Sequence, residues 1–296
     1  MRICVSGASG MVGSALVSHL KKENHDVVPL VRGKSRTAGI VWDPASGTIE
    51  KEKLSGFDAV VHLAGENISK GRWNAAKKAR IRDSRVASTR LLSETLAKLE
   101  RKPAVLVSAS AIGFYGDRGE ELLNEQSTGG SSFLAEVCQA WEQATKAASE
   151  AGIRVVHLRT GIVLSKSGGA LAAMLTPFKL GGGGIVGSGK QYWSWISLDD
   201  EVRAIVHAIR TESLRGPVNL VSPEAPTNRA FTKVLGKVLH RPTIFPMPAF
   251  AARLALGEMA NELLLASTRV EPRRLKETGF QFSYPDLEGA LKHLLG

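Results

Sequence analysis

The sequence predicts an α/β fold, a doubly wound parallel sheet that carries a smaller C-terminal substrate lobe. Short apolar runs rich in Val, Ile, Leu and Ala alternate with longer amphipathic stretches through the first half of the chain. Strands buried on both faces and joined by crossover helices read in that way. The first apolar run ends in a glycine-spaced turn that opens a helix, and after Leu164 the alternation gives way to glycine-rich sequence.

Taken in order, Arg2–Ser6 is the first strand and Met11–Lys22 the first helix. Asp26–Val31, Ala59–Leu63, Ala104–Ser108 and Arg154–Arg159 are the strands that follow, with Trp73–Leu99 and Phe133–Glu150 as helices between them. Beyond Leu164, S-K-S-G-G and L-G-G-G-G-I-V-G-S-G-K-Q read as loop. A helix starts near Asp199, with Asp199 or Asp200 as its cap, and P-V-N-L-V at 217–221 is a strand. The tail from Pro223 is mostly helical. Residues 1–168 form the first domain, to which 196–222 return, and 169–296 form the smaller lobe.

Composition narrows the function classes. The chain has 296 residues, 43% hydrophobic and 23% charged, which is ordinary for a globular protein. No signal peptide and no membrane-spanning run are read. Cys4 and Cys138 sit in apolar sequence without metal-ligand spacing, so a reducing cytoplasm is expected and no metal. The net charge of +11 favours anionic partners. The densest stretch, residues 69–85, has Asp83 as its only acid and Trp73 as its only aromatic. It reads as a solvated helix face, with nucleic-acid binding as the weaker alternative.

The first strand–helix junction, S-G-A-S-G-M-V-G-S, spaces Gly7, Gly10 and Gly13 as G-x-x-G-x-x-G. Such a turn lets backbone N–H groups approach a pyrophosphate, and its last glycine lets the helix pack on the strand. Gly7, Ala8, Ser9, Gly10, Met11 and Val12 are therefore expected against the phosphates of a dinucleotide, which makes the sheet Rossmann-type. An acid at the end of the second strand would bind both ribose hydroxyls of NAD. V-R-G-K-S-R offers Arg32, Lys34 and Arg36 instead. A guanidinium can fork onto a 2′-phosphate, so NADP is the expected cofactor. Leu63, Ala64, Gly65 and Glu66, then Ser108, and then Arg159, Thr160 and Gly161 end further strands at the same crevice.

Together these segments resemble the extended short-chain dehydrogenase/reductase superfamily. S-G-A-S-G-M-V-G, V-V-H-L-A-G, V-S-A-S-A-I-G-F-Y-G and W-S-W-I-S-L-D-D each resemble one of its motifs. L-A-G-E-N-I, G-S-G-K-Q-Y-W-S-W-I and the tail M-P-A-F-A-A-R-L-A-L-G-E-M-A-N-E-L-L-L tighten the likeness to the atypical epimerase-family branch, with its C-terminal domain of unknown function at 247–296. The resemblance implies a fold and a cofactor but supplies no substrate. The intact dinucleotide site and the full second lobe lead to the expectation of an NADP(H)-dependent oxidoreductase or epimerase acting on a small polar ligand, a sugar-like one included. Relatives of this kind often dimerise, which here would involve Trp73–Leu99 and Phe133–Glu150. With no spanning apolar run and no aromatic interleaving beyond Trp73, neither membrane nor nucleic acid is an expected partner.

One departure matters for chemistry. The superfamily exchanges a proton through Tyr-x-x-x-Lys on the helix after its fifth strand. Anchored on Glu142, that register falls on Leu134 and Cys138, and one residue earlier it falls on Phe133 and Val137. Neither holds a phenol or an ammonium. Ser110, Tyr115, Glu136 and Cys138 stand as substitute candidates, with Ser110 and Tyr115 foremost. A module that binds or senses NADP(H) without turnover stands as the alternative. Lys190, Gln191, Trp193 and Trp195 are either pocket walls or a packed hinge. His62 and His157 lie within strand runs and read as core, and His240 as turn.

Overall fold

The computed structural model describes residues 1–33 and 38–296; Lys34 and Arg36 lie outside the described residues. In chain order come β1 (Arg2–Ser6), α1 (Met11–Lys22), β2 (Asp26–Arg32), β3 (Ile40–Asp43), β4 (Thr48–Ile49), β5 (Ala59–His62), α2 (Ala75–Ala97) and β6 (Val105–Ala111). Next are β7 (Leu122–Leu123), α3 (Phe133–Gln143), α4 (Lys146–Glu150), β8 (Arg154–Thr160), β9 (Ile162–Leu164), α5 (Gly169–Lys179), β10 (Trp195–Ser197), α6 (Leu198–Arg210) and β11 (Gly216–Leu220). The tail holds α7 (Asn228–Leu239), α8 (Ala249–Leu256), α9 (Glu258–Ala260), β12 (Arg269–Val270), α10 (Arg273–Glu277) and α11 (Leu287–Leu295).

The main sheet runs β11-β8-β6-β5-β1-β2-β3-β4 and is parallel except where β4 turns back on β3. Ser6, His62, Ser108 and His157 stand side by side across four of its strands. From β1 the chain leaves to β2 on one side and later returns to β5 on the other, so the crevice opens at the carboxyl ends of β1 and β5. Alternate residues feed two cores. Ile3, Val5, Val61, Val107 and Leu158 pack beneath α1 and α6, while Cys4, Val60, Leu106 and Val155 pack on α2 and α4. Each such side chain stabilises the fold by roughly 1.5–3 kcal/mol on burial. No helix among the described residues is long and apolar enough to cross a membrane.

Three local expectations change. The helix expected over Phe133–Glu150 is two helices, because the Thr145 hydroxyl takes the Glu142 carbonyl at 2.7 Å and the chain turns there. The glycine-rich region after Leu164 contains α5 between its two glycine runs, with Leu171 and Phe178 buried. And α6 is capped by neither Asp199 nor Asp200: the Ser197 hydroxyl accepts from the Asp200 N–H at 3.1 Å.

Asp200 has a different task. Its fully buried carboxylate accepts from the backbone N–H groups of Ser283 and Tyr284 at 2.8 and 2.9 Å, and from Arg203 at 3.0 Å. It thus latches the tail onto α6, while α7 and α11 close a third core over Trp193, Trp195 and Phe231. Asp200→Asn keeps the shape but weakens charge-assisted bonds that no water replaces. We expect a loss of about 2–3 kcal/mol in urea unfolding, and an unchanged midpoint would show that the latch contributes nothing.

Candidate functional site

The first turn is built from backbone touching backbone. Gly7 has φ +69°, and a Cβ on it would stand 2.8 Å from the Leu63 carbonyl carbon. A Cβ on Gly13 would meet the Gly7 oxygen at 2.1 Å. Any larger residue at either place must push strands or helix apart. Gly10 closes the turn by donating to the Gly7 carbonyl at 2.9 Å, and it stands at the N-cap of α1 with no side-chain cap. The first N–H groups of α1 are therefore left facing Ser9 and Gly10, which are exposed, and suit an anion. Beneath them the Ser6 hydroxyl accepts from the Leu63 and Ala64 N–H groups at 3.1 and 3.3 Å and bonds His62 Nδ1 at 2.6 Å. His62 is wholly buried, and burial pushes its imidazole down to about 4, so it is neutral.

The rim beyond β5 is held by cations from the basic stretch. Lys77 is buried and donates to Glu66 Oε1 at 2.8 Å and to the Asn67 carbonyl at 2.7 Å. Arg85 donates to the Glu66 carbonyl at 3.1 Å and lies over Trp141. The Lys77 hydrogen bond holds the Glu66 carboxyl below the usual range, with Arg80 and Arg32 adding attraction. Arg32 is exposed at the end of β2 and faces this rim across the crevice.

Several expected site residues form a sealed network instead. Arg159 grips Glu142 through Nε and Nη2 at 2.8 and 2.9 Å, and Ser110 donates to the same carboxylate at 2.8 Å. Arg159 also donates to the Tyr115 hydroxyl at 3.1 Å, and Tyr115 donates to Asn219 Oδ1 at 2.7 Å. Ser110 and Arg159 are each 4% exposed and Tyr115 is 0% exposed. Burial raises the Tyr115 phenol. A phenol so enclosed, with both partners satisfied, has no free line to a ligand, and Arg159 is committed to Glu142 and not to a cofactor. Ser108 is wholly buried between the two histidine-bearing strands, and at Gly161 a Cβ would stand 2.7 Å from the Ser194 carbonyl. Leu134 and Cys138 both face Gly113, just past the end of β6. Burial pushes the Cys138 thiol up to about 12, so it is no thiolate. Glu136 is exposed on the other side of α3.

The second lobe offers less pocket than its aromatic residues suggest. Trp195 is fully buried, Trp193 donates to the Leu264 carbonyl at 3.3 Å, and Gln191 donates to the Val186 and Leu264 carbonyls at 2.9 and 3.1 Å. These residues pack the hinge, while Lys190 is exposed. The tail does reach the start of α3: Glu262 accepts from the Ser132 hydroxyl at 2.8 Å. Lys78 bonds Glu258 at 2.7 Å and lies over Phe133, whose ring meets Trp73 edge-on.

One acid escaped the sequence reading. Glu201 follows two aspartates at the start of α6 and passes for another helix N-terminal acid. It is 2% exposed, with Oε1 lying 2.9 Å from Thr160 Oγ1 and Oε2 without a partner among the described residues. Burial raises it to about 8, against a small opposing effect of Thr160.

Comparison with known proteins places these features in a family. The profile of the NAD dependent epimerase/dehydratase family matches residues 3–220, and that of a domain of unknown function, DUF1731, matches 247–294. An epimerase family protein of Mycobacterium bovis is 43% identical over 290 residues, covering 98% of this chain and 96% of that one. The crystal structure of human epimerase family protein SDR39U1 with NADPH superposes with a TM-score of 0.92 at 33% identity, covering 99% of each chain. A nucleoside-diphosphate sugar epimerase from Corynebacterium glutamicum gives 0.83 at 38% identity, with all of this chain matched to 58% of that one.

Glu201 makes stability depend on pH. Between about 4.5 and 8 the folded protein keeps a proton that the unfolded chain has lost, so stability falls as pH rises through that window. From about pH 6 to 9 we expect a loss on the order of 2–3 kcal/mol in the wild type. Glu201→Gln should lack that component, and equal slopes for both proteins in urea titrations would rule it out.

Proposed function

This chain belongs to the NAD dependent epimerase/dehydratase family, and from that premise we propose that it binds NADP(H) as an oxidoreductase or epimerase-like protein acting on a small polar, sugar-like ligand. The observation that carries the reading is the cradle at the first turn, where Gly7 and Gly13 leave no room for a Cβ beside an uncapped helix start. Gly7, Ala8, Ser9, Gly10, Met11 and Val12 would hold the diphosphate, and Arg32 the 2′-phosphate. Leu63, Ala64, Gly65 and Glu66 would flank the ribose side of the crevice. A bound NADP(H) supplies or takes a hydride at its nicotinamide. The NADPH in the human relative's crystal structure agrees with that choice of cofactor.

Proton transfer in this reading does not run through Tyr-x-x-x-Lys, since Leu134 and Cys138 occupy that register. Ser110 and Tyr115 support the site from behind: they fix Arg159 and Glu142, which brace the ends of β6 and β8. A second reading, a protein that binds or senses NADP(H) without turnover, is favoured by the same sealing of Ser110 and Tyr115. Loss of near-ultraviolet absorbance from NADPH against a panel of carbonyl compounds and sugars separates the two.

Calorimetry tests the cofactor. NADPH should bind about tenfold or more tightly than NADH, and Arg32→Ala should bring the two within about twofold. Equal affinities in the wild type would remove the 2′-phosphate site, and binding of neither dinucleotide would remove the proposal.

A further inference from the structure

Thr160 stands at the carboxyl end of β8, half-buried, on the sheet face that it shares with α1. Val156 and Leu158 point from the same strand into the core beneath α1 and α6, and Thr160 is the next residue on that face. A dinucleotide with its diphosphate on the first turn of α1 would lie across the carboxyl ends of the strands, where Thr160 stands. Behind Thr160 lies Glu201, 2% exposed, with one oxygen 2.9 Å from the Thr160 hydroxyl and the other bonded to nothing among the described residues.

We propose that Thr160 donates a hydrogen bond to the carboxamide oxygen of the bound nicotinamide, and that Glu201 is the positioning residue that sets the direction of the Thr160 hydroxyl. The inference rests on the cofactor reading above. Its physical basis is a count of donors. A protonated Glu201 has one O–H and one nearby acceptor, Thr160 Oγ1; leaving that O–H unpaired in the core costs more than leaving a carbonyl oxygen unpaired. Glu201 therefore donates to Thr160, and the Thr160 proton is released toward the crevice, where a ligand acceptor competes only with the Leu158 carbonyl at a long 3.4 Å. An ionised Glu201 can only accept, so it recaptures the Thr160 proton and leaves lone pairs facing the ligand. Glu201 thus switches Thr160 between donor and acceptor.

Burial keeps Glu201 in the donor-forming state at neutral pH, since its pKa is raised to about 8. No charged neighbour shifts it. The sheet faces it with Val107, Ala109 and Ala111 of β6, Leu158 of β8, Val163 of β9 and Ile196 of β10, none of them titratable. The nearest charges on its own helix are engaged elsewhere, Asp200 with the tail and Asp199 with His293. On α1, His19 pairs with Glu23 at the far end.

The test is fluorescence titration of NADPH from about pH 7 to 9.5, where the 2′-phosphate has finished titrating. Wild-type affinity should fall about five- to tenfold, centred near pH 8. The nicotinamide-free fragment 2′-phospho-ADP-ribose should show no such step. Glu201→Gln, whose amide donates to Thr160 at any pH, should bind NADPH as tightly as wild type at low pH and show no step. Thr160→Val should bind about fivefold more weakly than the wild type at pH 7 and show no step, and Thr160→Ser should restore both affinity and step. A wild type that binds NADPH tightly but without pH dependence would overturn this inference alone. The same step with the fragment would also overturn it, by moving the effect to the phosphate end. Failure to bind NADPH at all would instead sink the cofactor reading.

Discussion

The crevice depends on one close contact, the turn after β1 pressed against the end of β5. Gly7 meets Leu63 and Ala64 at distances that exclude a Cβ, and Gly13 brings α1 down on the same turn. The Ser6 hydroxyl secures the junction by taking both N–H groups at the start of the next loop, that of Leu63 being shared with the Ser6 carbonyl at 3.3 Å. Neutral His62 completes it from below, bonded to Ser6 on one side and 3.3 Å from Ser88 on α2 on the other. Strand, turn, helix and the rim at Glu66 are consequently placed by a chain of short contacts, and the loose partner in that arrangement is the exposed Arg32. This division suits a site that holds one end of a ligand by shape and the other by charge.

The second constraint is the ion pair of Arg159 and Glu142 behind the strand ends. Two charges in the core are stable only when nearly every hydrogen-bonding position is filled. Here Ser110, Tyr115 and the face of Phe114 fill them, with the Arg159 guanidinium 3.4 Å above that ring. The network thereby consumes the hydroxyls that sequence reasoning assigned to proton transfer. Of the polar groups at these strand ends, Thr160 is half-buried and lies outside that network, bonded instead to Glu201. The absence of an ammonium at position 138 fits this arrangement: Cys138 lies in a wholly buried site where an unpaired lysine would be costly.

Much of the fold was legible because parallel strands buried on both faces leave continuous apolar runs, and R-I-C-V-S or R-V-V-H-L-R-T can hardly be anything else. β3 and β4 escaped because they are short strands toward one edge of the sheet, and in β3 Ile40 and Trp42 alternate with exposed residues. α5 was hidden by the glycines on both sides of an otherwise apolar helix. The cap at Ser197 lost to its acidic neighbours because Asp also favours helix starts, and only the tail's N–H groups reveal what Asp200 does. In the site, the glycine turn was legible from its spacing together with its place at the first strand–helix junction, where backbone geometry demands Gly7 and Gly13. Whether a hydroxyl is open or sealed is decided by residues distant in sequence. Tyr115 is enclosed by Asn219 and Arg159, and Glu201 by strands 40 residues away, so neither could be read from its own neighbours.

The tail ties these parts into one unit. Three of its anchors illustrate this: Asp200 holds Ser283 and Tyr284, Glu258 and Glu262 engage the starts of α2 and α3, and β12 pairs with β7. Two of the three lie beside the crevice, one against the helix that carries Leu134 and Cys138 and one on the helix that carries Glu201. Asp200, which forms the latch, is the residue before Glu201, so the same first turn of α6 carries both the tie to the tail and the acid bonded to Thr160. By fixing that turn against the tail, the latch keeps Glu201 dry, and a carboxylate kept dry is held to whichever partner the core provides, here the Thr160 hydroxyl.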